Sequence, residues 1–182
     1  MLSMLAAITF VNFAHAHEVR PAIADVELTE DQITVRVRLT AESLLAGINL
    51  EGLSDTNEAP ESEKYDTLRN ESASDLAKEF KNAWPRMRED WAVRAGDQPI
   101  VLELNSVSVG ELGDPDLPRD TMIELASSLP QDGAEVQIGW VAANGPLIVR
   151  QADGGDDAYA GYLENGVLSE PLPRTGTISE SG

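Results

Sequence analysis

Behind the N-terminal region the chain opens with a run that contains Ile23, Val26 and Leu28. After Glu30-Asp31 it continues with Ile33, Val35, Val37 and Leu39 alternating with polar residues. Period-two alternation of β-branched residues predicts a hairpin of strands, each with one buried face. Residues 41–46, Ala-Glu-Ser-Leu-Leu-Ala, predict a short helical turn closed by Gly47. Residues 51–62 are polar and acidic and predict a loop. From Pro60 the period changes. Tyr65, Leu68, Leu76, Phe80 and Trp84 fall at helical spacings, in two pieces around the polar stretch 70–74. Ser74 suits an N-cap for the second piece and Pro85 a stop, which predicts two short helices over residues 61–84.

Strand signals then resume at 91–94 and 100–109, separated by the turn Gly96-Asp97, with a Gly/Pro/Asp-rich loop over 111–120. Further strands are predicted at 121–126, 135–142 and 147–151, with turns at Gln131-Asp132-Gly133 and Asn144-Gly145-Pro146. From Gly166 the Pro, Gly and Ser content predicts a flexible C-terminal linker over 166–182. Roughly seven or more short strands with turns every 8–12 residues indicate a mainly β, β-sandwich-like (Ig-like) domain over residues 17–165, with a helical insertion.

The first sixteen residues change the picture. Residues 2–13 are almost wholly apolar and run into Ala14-His15-Ala16, a small-x-small cleavage pattern. The run is shorter than the about 20 residues a membrane-spanning helix needs. It therefore predicts a signal peptide over 1–16 and a periplasmic or otherwise extracytoplasmic domain. No Lys or Arg precedes the apolar run, so the alternative is a buried N-terminal helix. Against it stands the first charged residue, Glu18, directly behind the cleavage pattern.

The formal charge of −19 disfavours nucleic acid and anionic lipid, both of which need Lys and Arg partners. The absence of cysteine rules out disulfides, thiolate metal sites and cysteine nucleophiles. No nucleophile–base motif, H-E-x-x-H or phosphate loop is present, and the expectation is a protein that is not an enzyme. A carboxylate-dependent hydrolase has no positive support in the sequence. Of nine aromatic residues, Phe10 and Phe13 lie in the leader, and the rest read as core.

Cleavage after Ala16 would leave His17 as the N-terminal residue. Its amine and imidazole then offer a chelate for a divalent metal (Ni, Co or Cu), with Glu18 beside it, although the mature chain has no other His. The bland reading is the first residue of an edge strand. Three acidic loops are candidate cation sites: Asp55/Asn57/Glu58, Asp114/Asp116/Asp120 and Asp153/Asp156/Asp157. None matches a full EF-hand loop, and solvated acidic loops are expected in a chain this negative. Leu172-Pro-Arg-Thr-Gly176 matches a sortase pattern but lacks the apolar tail and basic end that such a signal needs.

Several phrases are similar to the N-terminal extracytoplasmic domain of HupE/UreJ-type membrane proteins. They are His17-Glu-Val-Arg-Pro-Ala22, Leu39-Thr-Ala-Glu-Ser-Leu-Leu-Ala-Gly47 and Leu117-Pro-Arg-Asp120. To these add Gly139-Trp140 with Gly145-Pro-Leu-Ile-Val-Arg-Gln151, and Gly161-Tyr162-Leu163 leading into Pro171-Leu-Pro-Arg174. The resemblance spans residues 17–174. It implies a periplasmic domain carried ahead of a bundle of transmembrane helices, in a family associated with nickel or cobalt handling. The partner it implies is a transmembrane metal permease domain, in the same gene or a separate one. The His/Asp motif of that membrane half lies outside this sequence, so the resemblance carries over domain identity and location without transport. The competing expectation is a structural or protein-interaction domain with no ligand.

Overall fold

The alternation at 22–39 folds as expected in the computed structural model, which describes residues 18–113, 117–152 and 158–174. β1 (Ala22–Leu28) and β2 (Gln32–Leu39) form an antiparallel hairpin with Val26 opposite Val35. Every second residue points into the core: Ala22, Ala24, Val26 and Leu28 from β1, and Ile33, Val35, Val37 and Leu39 from β2. Burying each larger aliphatic side chain contributes about 1.5–3 kcal/mol, which fixes the register, since a one-residue slip would turn the whole set to solvent.

α1 (Ala41–Ala46) follows and is buried throughout. It closes at Gly47, whose φ of +83° lets its N–H reach the Ser43 and Leu44 carbonyls. Two longer helices come next, α2 (Ser62–Arg69) and α3 (Ala73–Met87). The strands then run β3 (Trp91–Ala95), β4 (Gln98–Pro99), β5 (Glu103–Val109), β6 (Thr121–Ser128), β7 (Val136–Trp140), β8 (Leu147–Gln151) and β9 (Ala160–Leu163).

Six strands form one sheet in the order β5-β6-β2-β1-β8-β9, and three form a second in the order β4-β3-β7. β1 pairs β8 in parallel; the other pairings are antiparallel. Both sheets and all three helices bury side chains in one apolar core, with Leu76, Phe80, Val93, Ile138 and Leu147 among its members. The domain is mainly β and sandwich-like, with helices inserted between β2 and β3.

Three expectations change. Ser72, not Ser74, caps α3: its hydroxyl accepts from the Asp75 N–H at 3.1 Å, and it also donates to the Asp75 carboxylate at 2.6 Å. Pro85 does not stop α3, which continues to Met87. The stripe Leu76, Phe80, Trp84 and Met87 is buried, and keeping its last two members in the core outweighs the backbone bond that proline removes. Pro85 itself is exposed, so the stranded carbonyl can turn to water.

The third change is at the C-terminal end. Residues 166–174, expected as linker, pack along the free edge of β7. Val136 and Leu172 exchange backbone hydrogen bonds of 3.0 and 2.8 Å, and the Ser169 N–H donates to the Ile138 carbonyl at 2.9 Å. Leu172 is fully buried. The segment thus covers an edge that would otherwise present unpaired backbone.

Candidate functional site

Of the expected metal residues, His17 lies outside the described residues. Glu18 is exposed and forms an isolated antiparallel bridge with Asp55. The next residue, Val19, donates its N–H to the Ser54 carbonyl at 3.1 Å. The chain entry and the first acidic loop, separate candidates in the sequence, therefore lie side by side. The Asp55 carboxylate accepts from the Asn57 N–H at 2.9 Å and caps the short 3-10 turn Thr56–Glu58. Behind this bridge is a small cavity of mixed lining, with Glu18, Arg20 and Asn144 beside the apolar Leu39, Leu44 and Leu50. It encloses about 20 Å³, room for one water.

Asp114 and Asp116 lie outside the described residues, as do Asp153, Asp156 and Asp157. Asp120 is exposed, and its backbone carbonyl accepts from the Gly110 N–H at 2.9 Å. Among the described residues no three His, Asp or Glu side chains gather as a metal-holding group. Glu18 and Asp55 face each other across the bridge, and two carboxylates alone do not make a site for nickel, cobalt or copper.

The strongest polar constellation was not among the expected sites. Glu42, fully buried on α1, accepts from Arg119 Nε at 2.9 Å, and Arg119 is itself buried. Arg119 also donates to the Glu71 carbonyl at 2.9 Å and the Leu68 carbonyl at 3.3 Å, closing the C-terminal end of α2. Arg69 on α2 returns the contact, donating to the Leu117 carbonyl and, at 3.2 Å, to the Tyr65 hydroxyl. The segment Leu117–Asp120 is therefore clamped to α1 and α2 by two buried arginines. Five-donor guanidinium forks suit this role, because each reaches several carbonyls at once. Glu42 Oε2 has no hydrogen-bond partner.

A second clamp closes the other end of the domain. Arg174 is buried, donates to the Glu30 carbonyl at 2.8 Å and to the Pro130 carbonyl, and lies 3.4 Å from the Asp132 carboxylate. Gln151 Nε2 donates to the Pro173 carbonyl at 2.9 Å, and Trp140 Nε1 to the Gly145 carbonyl at 2.8 Å. Spacing could not reveal the Arg119 or Arg174 contacts, since Glu42 and Glu30 lie 77 and 144 residues away along the chain.

Beside the first clamp, burial pushes the Glu71 carboxyl above the ordinary glutamate value. The Glu79 and Asp75 carboxylates push it further, and Arg119 pulls it back.

The chain matches no family model, and no curated protein matches it.

Proposed function

We propose that this chain is the extracytoplasmic domain of a HupE/UreJ-like protein, a non-catalytic binding or assembly module associated with nickel or cobalt uptake. One observation supports the reading: several of the phrases that bear the resemblance are joined in two groups by buried or part-buried contacts. The phrase 39–47 meets 117–120 through Glu42 and Arg119. The phrase 145–151 is tied to 139–140 through Trp140 and to 171–174 through Gln151. Residues that hold a fold together are the ones a shared domain would keep in common, whatever its ligand. The clamps assign no chemistry to these phrases.

The metal role rests on His17, next to Glu18 in the sequence, and on Asp55, which bridges Glu18. An N-terminal amine and imidazole there would add two nitrogen donors to the carboxylates at the bridge. Titration calorimetry with Ni²⁺, Co²⁺ and Cu²⁺ tests this on a chain that begins at His17 and on one with an extra residue ahead of it. Binding by the first and at least about tenfold weaker binding by the second supports the chelate. Equal binding by both removes His17 from the reading, and no heat from either removes the metal. A domain that acts through protein contacts alone is the second reading, and the open face of the six-stranded sheet favours it.

A further inference from the structure

One face of the six-stranded sheet covers the core; the other is open, and two transverse rows of its side chains cross all six strands, beside a shorter row with Glu27, Thr34 and Ala126. The registers place Ser106, Glu124, Arg36, Asp25, Arg150 and Ala160 side by side across the six strands. The next row reads Ser108, Met122, Arg38, Ile23, Ile148 and Tyr162. Met122 is 44 % exposed and Tyr162 is 55 % exposed.

The first row has a symmetry. Its four charges run minus, plus, minus, plus from β6 to β8, and within one copy Arg36 pairs with Glu124 at 3.3 Å and Arg150 pairs with Asp25 at 2.7 Å. A two-fold axis parallel to the strands, between β2 and β1, reverses that order. It sets Glu124 against Arg150 of a second copy, and Arg36 against Asp25 of the second copy. The same axis sets Met122 against Ile148 and the large Tyr162 against the small Ser108. It also sets Arg38 against Ile23, so the charged row is complementary to itself throughout and the second row at its Met122–Ile148 and Tyr162–Ser108 contacts; self-complementarity is what an isologous interface requires.

We propose that this face is a homodimer interface, with the sheets of two copies packed face to face about that axis. The face carries Arg36, Arg38 and Arg150 against Asp25, Glu27 and Glu124, so it is locally neutral on a chain of net charge −19. That makes it a surface on which two such acidic molecules can approach. Six strands about 4.8 Å apart and seven residues of about 3.3 Å give a face of roughly 650 Å² per copy. The pair would bury roughly 1,300 Å², within the range of stable interfaces.

The test is sedimentation velocity of the full chain over a hundredfold concentration range in about 0.15 M salt, where repulsion between distant charges is screened. The wild type is expected to show a reversible monomer–dimer equilibrium. Glu124→Arg sets the introduced arginine against Arg150 of the second copy, and Arg150→Glu sets the introduced glutamate against Glu124. Each variant alone is expected to weaken the dimer by at least about tenfold. An equimolar mixture of the two restores opposite charges at both contacts and is expected to form a heterodimer within about threefold of wild-type affinity. Tyr162→Asp, on the other row, is expected to abolish dimerisation while melting near the wild type, and serves if a charge variant fails to fold. A wild type that stays monomeric overturns the proposal. So does a dimer unmoved by all three variants, or a mixture no better than its separate components.

Discussion

Glu42 and Arg119, 77 residues apart in the chain, meet as a buried ion pair of 2.9 Å. The pair ties α1 to the segment entering β6, while Arg119 also holds the end of α2. Removing one partner leaves the other charge buried and uncompensated, at a cost of about 3–5 kcal/mol. Arg119→Ala and Glu42→Ala are each expected to destabilise by that amount. The double replacement Glu42→Leu with Arg119→Met removes both charges and is expected to cost less than either single change. Urea melts of the variants check this; a double change that costs the sum of the singles would mean that the two groups do not act as a pair.

The hairpin and most strands were legible because each buries one face and so shows its alternation. β9 was not legible: Ala160-Gly-Tyr-Leu163 has one buried residue and is held by pairing with β8. The segment 166–174 was misread for a related reason. Its prolines and serines look like linker, but its order comes from backbone bonds to β7 and from Leu172 and Arg174, which a local pattern does not express. Sequence singled out His17 and the acidic loops because metal chemistry is written in residue type. The Glu42–Arg119 clamp was invisible to that reading, since an isolated Glu and an isolated Arg in an acidic chain carry no signal until the fold joins them.

That segment contributes to stability. Leu172→Ala opens a cavity against the core and is expected to cost about 2–5 kcal/mol. Arg174→Ala leaves the Glu30 and Pro130 carbonyls without their shared donor. It is expected to cost about 1–3 kcal/mol and to speed hydrogen exchange at the Leu172 amide. Exchange rates equal to wild type would mean that Arg174 does not hold the segment down.

Glu71 sets a pH dependence. Its carboxyl titrates above the ordinary value of 4.5 in the folded protein, so the folded state binds the proton more tightly than the unfolded chain. The contribution it makes is therefore fully present below pH 4.5 and is lost as pH rises through the folded value. Glu71→Gln, which mimics the protonated acid, is expected to raise stability at neutral pH by less than about 1 kcal/mol, because the group is half-solvated. The melting temperature should rise by about 1–3 °C there, with the gain disappearing below the ordinary glutamate range. Thermal melts across pH 3–8 check the sign, and a gain that grows toward acid would contradict it.

Gly139 lies where the C-terminal segment packs closely on β7. It sits on β7, where a Cβ would lie 2.6 Å from the Val167 carbonyl oxygen and 3.3 Å from Leu168 Cδ2. The first contact is with backbone, which cannot rotate away. Gly139→Ala is therefore expected to push residues 167–168 off the strand and to cost about 1–3 kcal/mol. Exchange at the Ser169 and Leu172 amides should rise, because both donate to β7 carbonyls. Gly113 is the control, since a Cβ there meets nothing within 4 Å. Gly113→Ala should change stability by less than about 0.5 kcal/mol. If Gly139→Ala were as silent as Gly113→Ala, residues 167–168 would have to give way at no cost, and their packing on β7 would contribute nothing to stability.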